Sequence, residues 1–88
     1  MKIQQKHYDV LKDSIKSVIE YNGLDKVLKY YEDLKQCKDV NDARVRLMYD
    51  LKVRSLNNSY ITSVLYEYMN DKHITTALLK IGHDLKLF

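Results

Sequence analysis

Apolar positions recur along this chain every three or four residues, the period of an α-helix with one buried face. Tyr8, Leu11, Ile15, Val18 and Ile19 form a first row, with Lys12, Asp13, Lys16 and Glu20 opposite. Asn22-Gly23 ends that helix, because glycine enters the left-handed backbone region that closes a helix C-terminus. A second row begins at once, made of Leu24, Val27, Leu28, Tyr31 and Leu34. Asp25 in its first turn and Lys35 in its last match the helix dipole. The polar stretch from Cys37 to Asp42 reads as a loop, with an N-cap at Asn41 or Asp42.

The third helix is expected from about Ala43 to Arg54, with Ala43, Leu47, Met48 and Leu51 as its inner stripe. The turn-rich run from Ser55 to Ser59 then breaks the chain, and its last residues cap the next helix. That fourth helix takes Tyr60 to Met69 and buries Ile61, Val64, Leu65 and Tyr68. Asp71 is placed to cap a fifth helix by accepting from backbone N–H groups near Ile74. The fifth helix buries Ile74, Ala77, Leu78 and Ile81, Gly82 closes it, and His83 to Phe88 forms a short amphipathic tail. No stretch alternates long enough to make a half-buried strand. The prediction is an all-α compact bundle of about five short helices in a single domain, residues 1–88.

Composition narrows the class further. Apolar residues make up 45% and charged residues 31% of 88, which suits a folded domain rather than a disordered chain. A single Cys forms no internal disulfide, so a disulfide-built secreted fold is not expected. MKIQQKHYDV has no apolar core of a signal peptide, and no run approaches a membrane span. A cytoplasmic protein without a membrane partner is therefore expected. The net charge of +3 is small, and its excess lies around Arg44, Arg46, Lys52 and Arg54.

Candidate chemistry is sparse. His7, His73 and His83 show no metal-ligand spacing, and His7 and His73 are expected at the solvent surface. Gly23 and Gly82 stand too far apart for a phosphate loop, and Cys37 has neighbouring lysines but no placed base. No catalytic residue, metal ligand or cofactor site is therefore assigned, and the chain is expected not to be an enzyme. Two binding classes remain. A nucleic-acid module would grip a backbone with Arg44, Arg46, Lys52 and Arg54 on the third helix, with Tyr49 stacking. A recognition-helix reading is weak, because Tyr60, Thr62 and Ser63 would occupy the base-facing positions.

Protein recognition is the leading class. The chain has eight Tyr, one Phe and no Trp, and tyrosine and arginine are favoured at interface hot spots. Arg44, Arg46 and Tyr49 on the third helix and Tyr60 and Tyr66 on the fourth are the candidate contact residues. The Arg44 stem is expected to pack while its head stays in water, and Asp50 is expected to screen Arg46. Tyr30 is expected to be exposed, and a homo-oligomer is a second outcome of the same surface.

The run Val45-Arg46-Leu47-Met48-Tyr49-Asp50-Leu51, followed by Leu65-Tyr66-Glu67-Tyr68-Met69-Asn70-Asp71-Lys72-His73-Ile74-Thr75-Thr76-Ala77-Leu78, resembles small proteins of tailed bacteriophages and prophages. Those proteins carry an aromatic-Asp-Leu-Leu patch and then a Leu-Tyr-x-Tyr-x-Asn-Asp-x-His-Ile-x-Thr-Ala-Leu stretch. The resemblance covers about residues 43–81, and Tyr49 stands where the family tends to have Trp. It implies a phage origin and no assigned activity. By analogy with small phage proteins lacking enzyme motifs, it implies an accessory protein that binds and modulates a host protein, including a defence or regulatory factor.

Overall fold

The computed structural model describes residues 3–36 and 40–88. Within them the chain folds into five helices and no strand: α1 (Gln5–Asn22), α2 (Leu24–Lys35), α3 (Val40–Arg54), α4 (Ser59–Tyr68) and α5 (Ile74–Asp84). None is long and apolar enough to cross a membrane among the described residues. The all-α bundle read from the sequence is the observed architecture. Of the loop expected from Cys37 to Asp42, residues 37–39 lie outside the described residues and Val40, Asn41 and Asp42 are helical.

The helix ends follow backbone chemistry. α1 stops at Gly23, whose N–H donates to the Ile19 carbonyl at 3.1 Å. Gly23 has φ 96° and ψ 146°. That is an extended conformation with positive φ rather than the left-handed helical one expected, and it is open almost only to glycine. It lets α2 start one residue later. α3 begins at Val40, earlier than expected, so Asn41 and Asp42 sit within its first turn and neither is its N-cap. At α4 the Asn58 side chain accepts the Ile61 N–H at 3.0 Å and caps the helix.

The corner before α5 is organised by Asp71. Its Oδ1 accepts the His73 N–H at 2.9 Å, while its carbonyl accepts the Ile74 N–H at 3.1 Å. Asp71 is therefore not the N-cap expected: His73 holds that position without a side-chain cap bond, and the Asp71 carboxylate closes the turn that leads into the helix. The N–H groups of Thr75 and Thr76 reach back three residues, which makes a 3₁₀ lead-in to α5.

The predicted rows converge on one core. Leu11, Ile15, Val18, Val27, Leu47, Leu51, Leu65, Ile74, Leu78 and Ile81 are fully buried. Ile19, Leu28, Ile61 and Ala77 of the predicted rows are only half-buried, and two positions depart further. Leu24 is exposed on the solvent side of the α1–α2 corner. Gly82 does not close α5 but lies buried within it, where an added Cβ would stand 2.5 Å from Tyr31 Cε1 and 2.8 Å from a Phe88 ring carbon. Glycine is required there by close packing. The helix closes later, at Lys86, whose φ is 60°. The Lys86 N–H donates to His83 O at 3.0 Å and the Leu87 N–H to Gly82 O at 2.9 Å, a Schellman motif with lysine in the usual glycine position. α1 packs against each of the other four helices.

Candidate protein-binding surface

α3 positions most of the sequence-predicted site residues, and it separates them. Arg44 is buried: its Nη1 donates to the Met69 carbonyl at 2.7 Å and its Nη2 to Asn41 Oδ1 at 2.8 Å. The expectation of a solvated head is overturned, because the unpaired carbonyl at the end of α4 supplies an acceptor that removes the guanidinium from water. Arg44 ties α3 to the α4–α5 corner and is not available as a contact residue.

The other three basic side chains reach three different partners. Arg46 is exposed and its Nε donates to Asp42 Oδ2 at 2.9 Å, one turn back on the same helix. Asp50 does not screen it, since Asp50 accepts the Tyr30 hydroxyl at 3.0 Å and lies 3.5 Å from Lys26 Nζ. Tyr30 is accordingly half-buried rather than exposed. Arg54 crosses to α1, donating from Nε and Nη2 to Asn22 Oδ1 at 3.2 and 2.8 Å with its guanidinium 5.0 Å from the Tyr21 ring centre. Lys52 Nζ stands 4.7 Å from the centre of the Tyr66 ring on α4. Its interaction with Tyr66 holds the ammonium above its ordinary range, and Tyr49 nearby acts in the same sense. The four basic residues thus diverge and do not form one stripe.

Tyr49 and Tyr66 are both more than half exposed, and Lys52 of α3 reaches over the Tyr66 ring. Tyr60 is equally exposed but lies six residues before Tyr66, which at ~100° per residue turns it ~120° away around α4. The residues sequence reasoning missed are Val45 and Val53. With Tyr49 they stand at i, i+4 and i+8 on α3, all exposed, and Leu56 beyond the helix end is exposed as well. The outer face of α3 therefore presents an apolar row with Tyr66 beside it. Its spacing was visible in the sequence, but the inner row already accounted for α3 as an amphipathic helix.

The rest of the polar chemistry is structural. His7 is buried, contrary to expectation, with Nδ1 2.6 Å from the Tyr68 hydroxyl and the two rings edge to face. This contact joins α1 to α4. His73 and His83 are exposed. Tyr8 bonds through its hydroxyl to Asp84, and burial together with that carboxylate pushes the phenol up to about 12. The same bond holds Asp84 below the ordinary carboxylate range. Among the described residues no three His, Cys, Asp or Glu side chains gather as metal ligands. No family model, curated protein or solved structure matches the chain.

Proposed function

We propose that this chain is a non-enzymatic binding module that engages a protein partner through the outer face of α3. The supporting observation is the exposed row Val45, Tyr49 and Val53 on a helix whose opposite face is fully packed. Exposed apolar side chains at this spacing are the anchors by which one helix docks on a complementary surface. Tyr66 and Lys52 flank the row and add an aromatic face and a cation. The partner class we infer is a host protein, given the resemblance of residues 43–81 to small phage proteins, with the chain acting as an accessory that modulates that protein. The nucleic-acid alternative gains no support, because Arg44, Arg46, Lys52 and Arg54 are each engaged within the chain and point apart.

The test is a quantitative binding comparison on the host protein recovered with the immobilised chain. Tyr49→Ala combined with Val53→Asp leaves the helical circular dichroism spectrum and thermal midpoint near those of the original chain. The same variant weakens binding by at least about tenfold, the size expected for removing an interface anchor. Equal affinity for both chains overturns the reading.

A further inference from the structure

The outer face of α3 is bordered by charge, and the charge is uneven along its length. At ~100° per residue, Arg46 and Lys52 stand ~60° to either side of Tyr49, so a cation borders each side of the apolar row Val45, Tyr49 and Val53. The two cations are not equivalent. Arg46 shares an exposed ion pair with Asp42, which leaves the N-terminal end of the row neutral. Lys52 pairs with no carboxylate among the described residues, and its ammonium lies over the Tyr66 ring. Arg54, two residues on, bonds only to the neutral Asn22 amide and keeps its charge. No Asp or Glu occurs in the sequence from Leu51 to Tyr66. The acids on either side of that stretch are turned elsewhere, Asp50 to Lys26 and the Tyr30 hydroxyl of α2, and Glu67 towards His7 of α1. The C-terminal end of the row is therefore positive.

A second copy of the chain fits this face poorly. Laid antiparallel across a two-fold axis at Tyr49, it would set Lys52 beside the Lys52 of the other copy. Laid parallel, it would set Lys52 beside the other Arg46. Either arrangement brings cation to cation at the rim of an apolar seam. A nucleic-acid backbone fits no better, because the exposed Val45 and Val53 side chains gain nothing by burial against phosphates. An amphipathic helix with carboxylates beside its own apolar row satisfies both parts of the face. The i, i+4 rows of two helices interlock when their axes cross at ~50°, and a flanking carboxylate then meets Lys52 with opposite charge. Resting on the reading of the α3 outer face as the docking surface, we propose that the partner presents an acidic amphipathic helix, with its carboxylates opposite Lys52 at the C-terminal end of α3.

The experiment is an NMR titration of the ¹⁵N-labelled full chain with two synthetic helical peptides. They share one leucine row and differ in its flanks, glutamate in one and lysine in the other, and a short DNA duplex is the third probe. The glutamate peptide is expected to give saturable shifts at Val45, Tyr49 and Val53 that weaken as salt is raised. The lysine peptide and the duplex are expected to bind there several-fold more weakly. Lys52→Glu is expected to weaken the glutamate peptide several-fold and to strengthen the lysine peptide, with Lys52→Gln, which removes the charge without reversing it, falling between. The proposal is overturned if neither peptide shifts α3, if both bind it equally, if the duplex binds it better, or if Lys52→Glu keeps the preference for glutamate. It is also overturned if sedimentation shows a dimer that Val53→Asp dissociates. The docking face itself is judged separately on the host protein, where Tyr49→Ala with Val53→Asp weakens binding whether or not Lys52→Glu does.

Discussion

The two faces of α3 carry similar side chains and meet different fates. Ala43, Leu47, Met48 and Leu51 are sealed against the neighbouring helices, whereas Val45, Tyr49 and Val53 on the other side stand in solvent. The two arginines repeat the contrast. Arg44 is buried and holds a main-chain carbonyl, while Arg46 lies on the surface beside Asp42. Residue type does not separate the faces. What separates them is whether another element supplies atoms or acceptors across the gap, and this decides which side chains stabilise the fold and which are free to contact a partner.

The largest expected effect tests the apolar half of this contrast. Leu47→Ala opens a cavity in the core and is expected to cost about 2–5 kcal/mol in chemical denaturation, whereas Val53→Ala stays within about 0.5 kcal/mol. Comparable losses for the two would mean that the outer face is packed after all. The arginines sharpen it next. Arg44→Met keeps the aliphatic stem but leaves the Met69 carbonyl unpaired, and is expected to cost about 1–3 kcal/mol. Arg46→Met, which removes only an exposed ion pair, is expected to cost under about 1 kcal/mol.

A smaller loss is expected at the α4–α5 corner. Asp71→Ala removes the acceptor for the His73 N–H and is expected to cost about 1 kcal/mol, with Asp71→Asn costing much less because an amide oxygen accepts the same bond. Equal losses for the two variants would assign the effect to the charge. The last effect is invisible near neutrality. The Tyr8 phenol has its folded pKa raised to about 12, so the folded chain holds its proton more tightly than the unfolded chain. That contribution is complete below the ordinary tyrosine value and is lost as pH climbs through the folded one. Alkaline unfolding curves should show this loss, and Tyr8→Phe should abolish that part of the slope.

The helices were legible in the sequence because a 3.6-residue row is a local signal, and each inner row kept most of its members in the core. What escaped depends on distant parts of the chain. Gly82 looked like a helix stop because glycine often is one, but the ring that forbids a side chain there belongs to Tyr31 on α2. His7 looked solvated because its partner, Tyr68, lies on α4. Arg44 looked half-wet because nothing local announces the Met69 carbonyl. The candidate surface was legible in part: Tyr49 and Tyr66 were identified, Val45 and Val53 were not, and Tyr60 proved to face another way.

The central place of α1 sets a hierarchy of opening motions. Because α1 touches all four other helices, its inner turn around Leu11, Ile15 and Val18 cannot be uncovered by detaching any one of them. Amide protons there exchange with solvent only when the whole molecule opens, while those at the solvent-facing helix ends exchange through local fraying. A partner that grips α3 from outside would therefore slow exchange along α3 and leave the α1 rate tied to the global unfolding equilibrium.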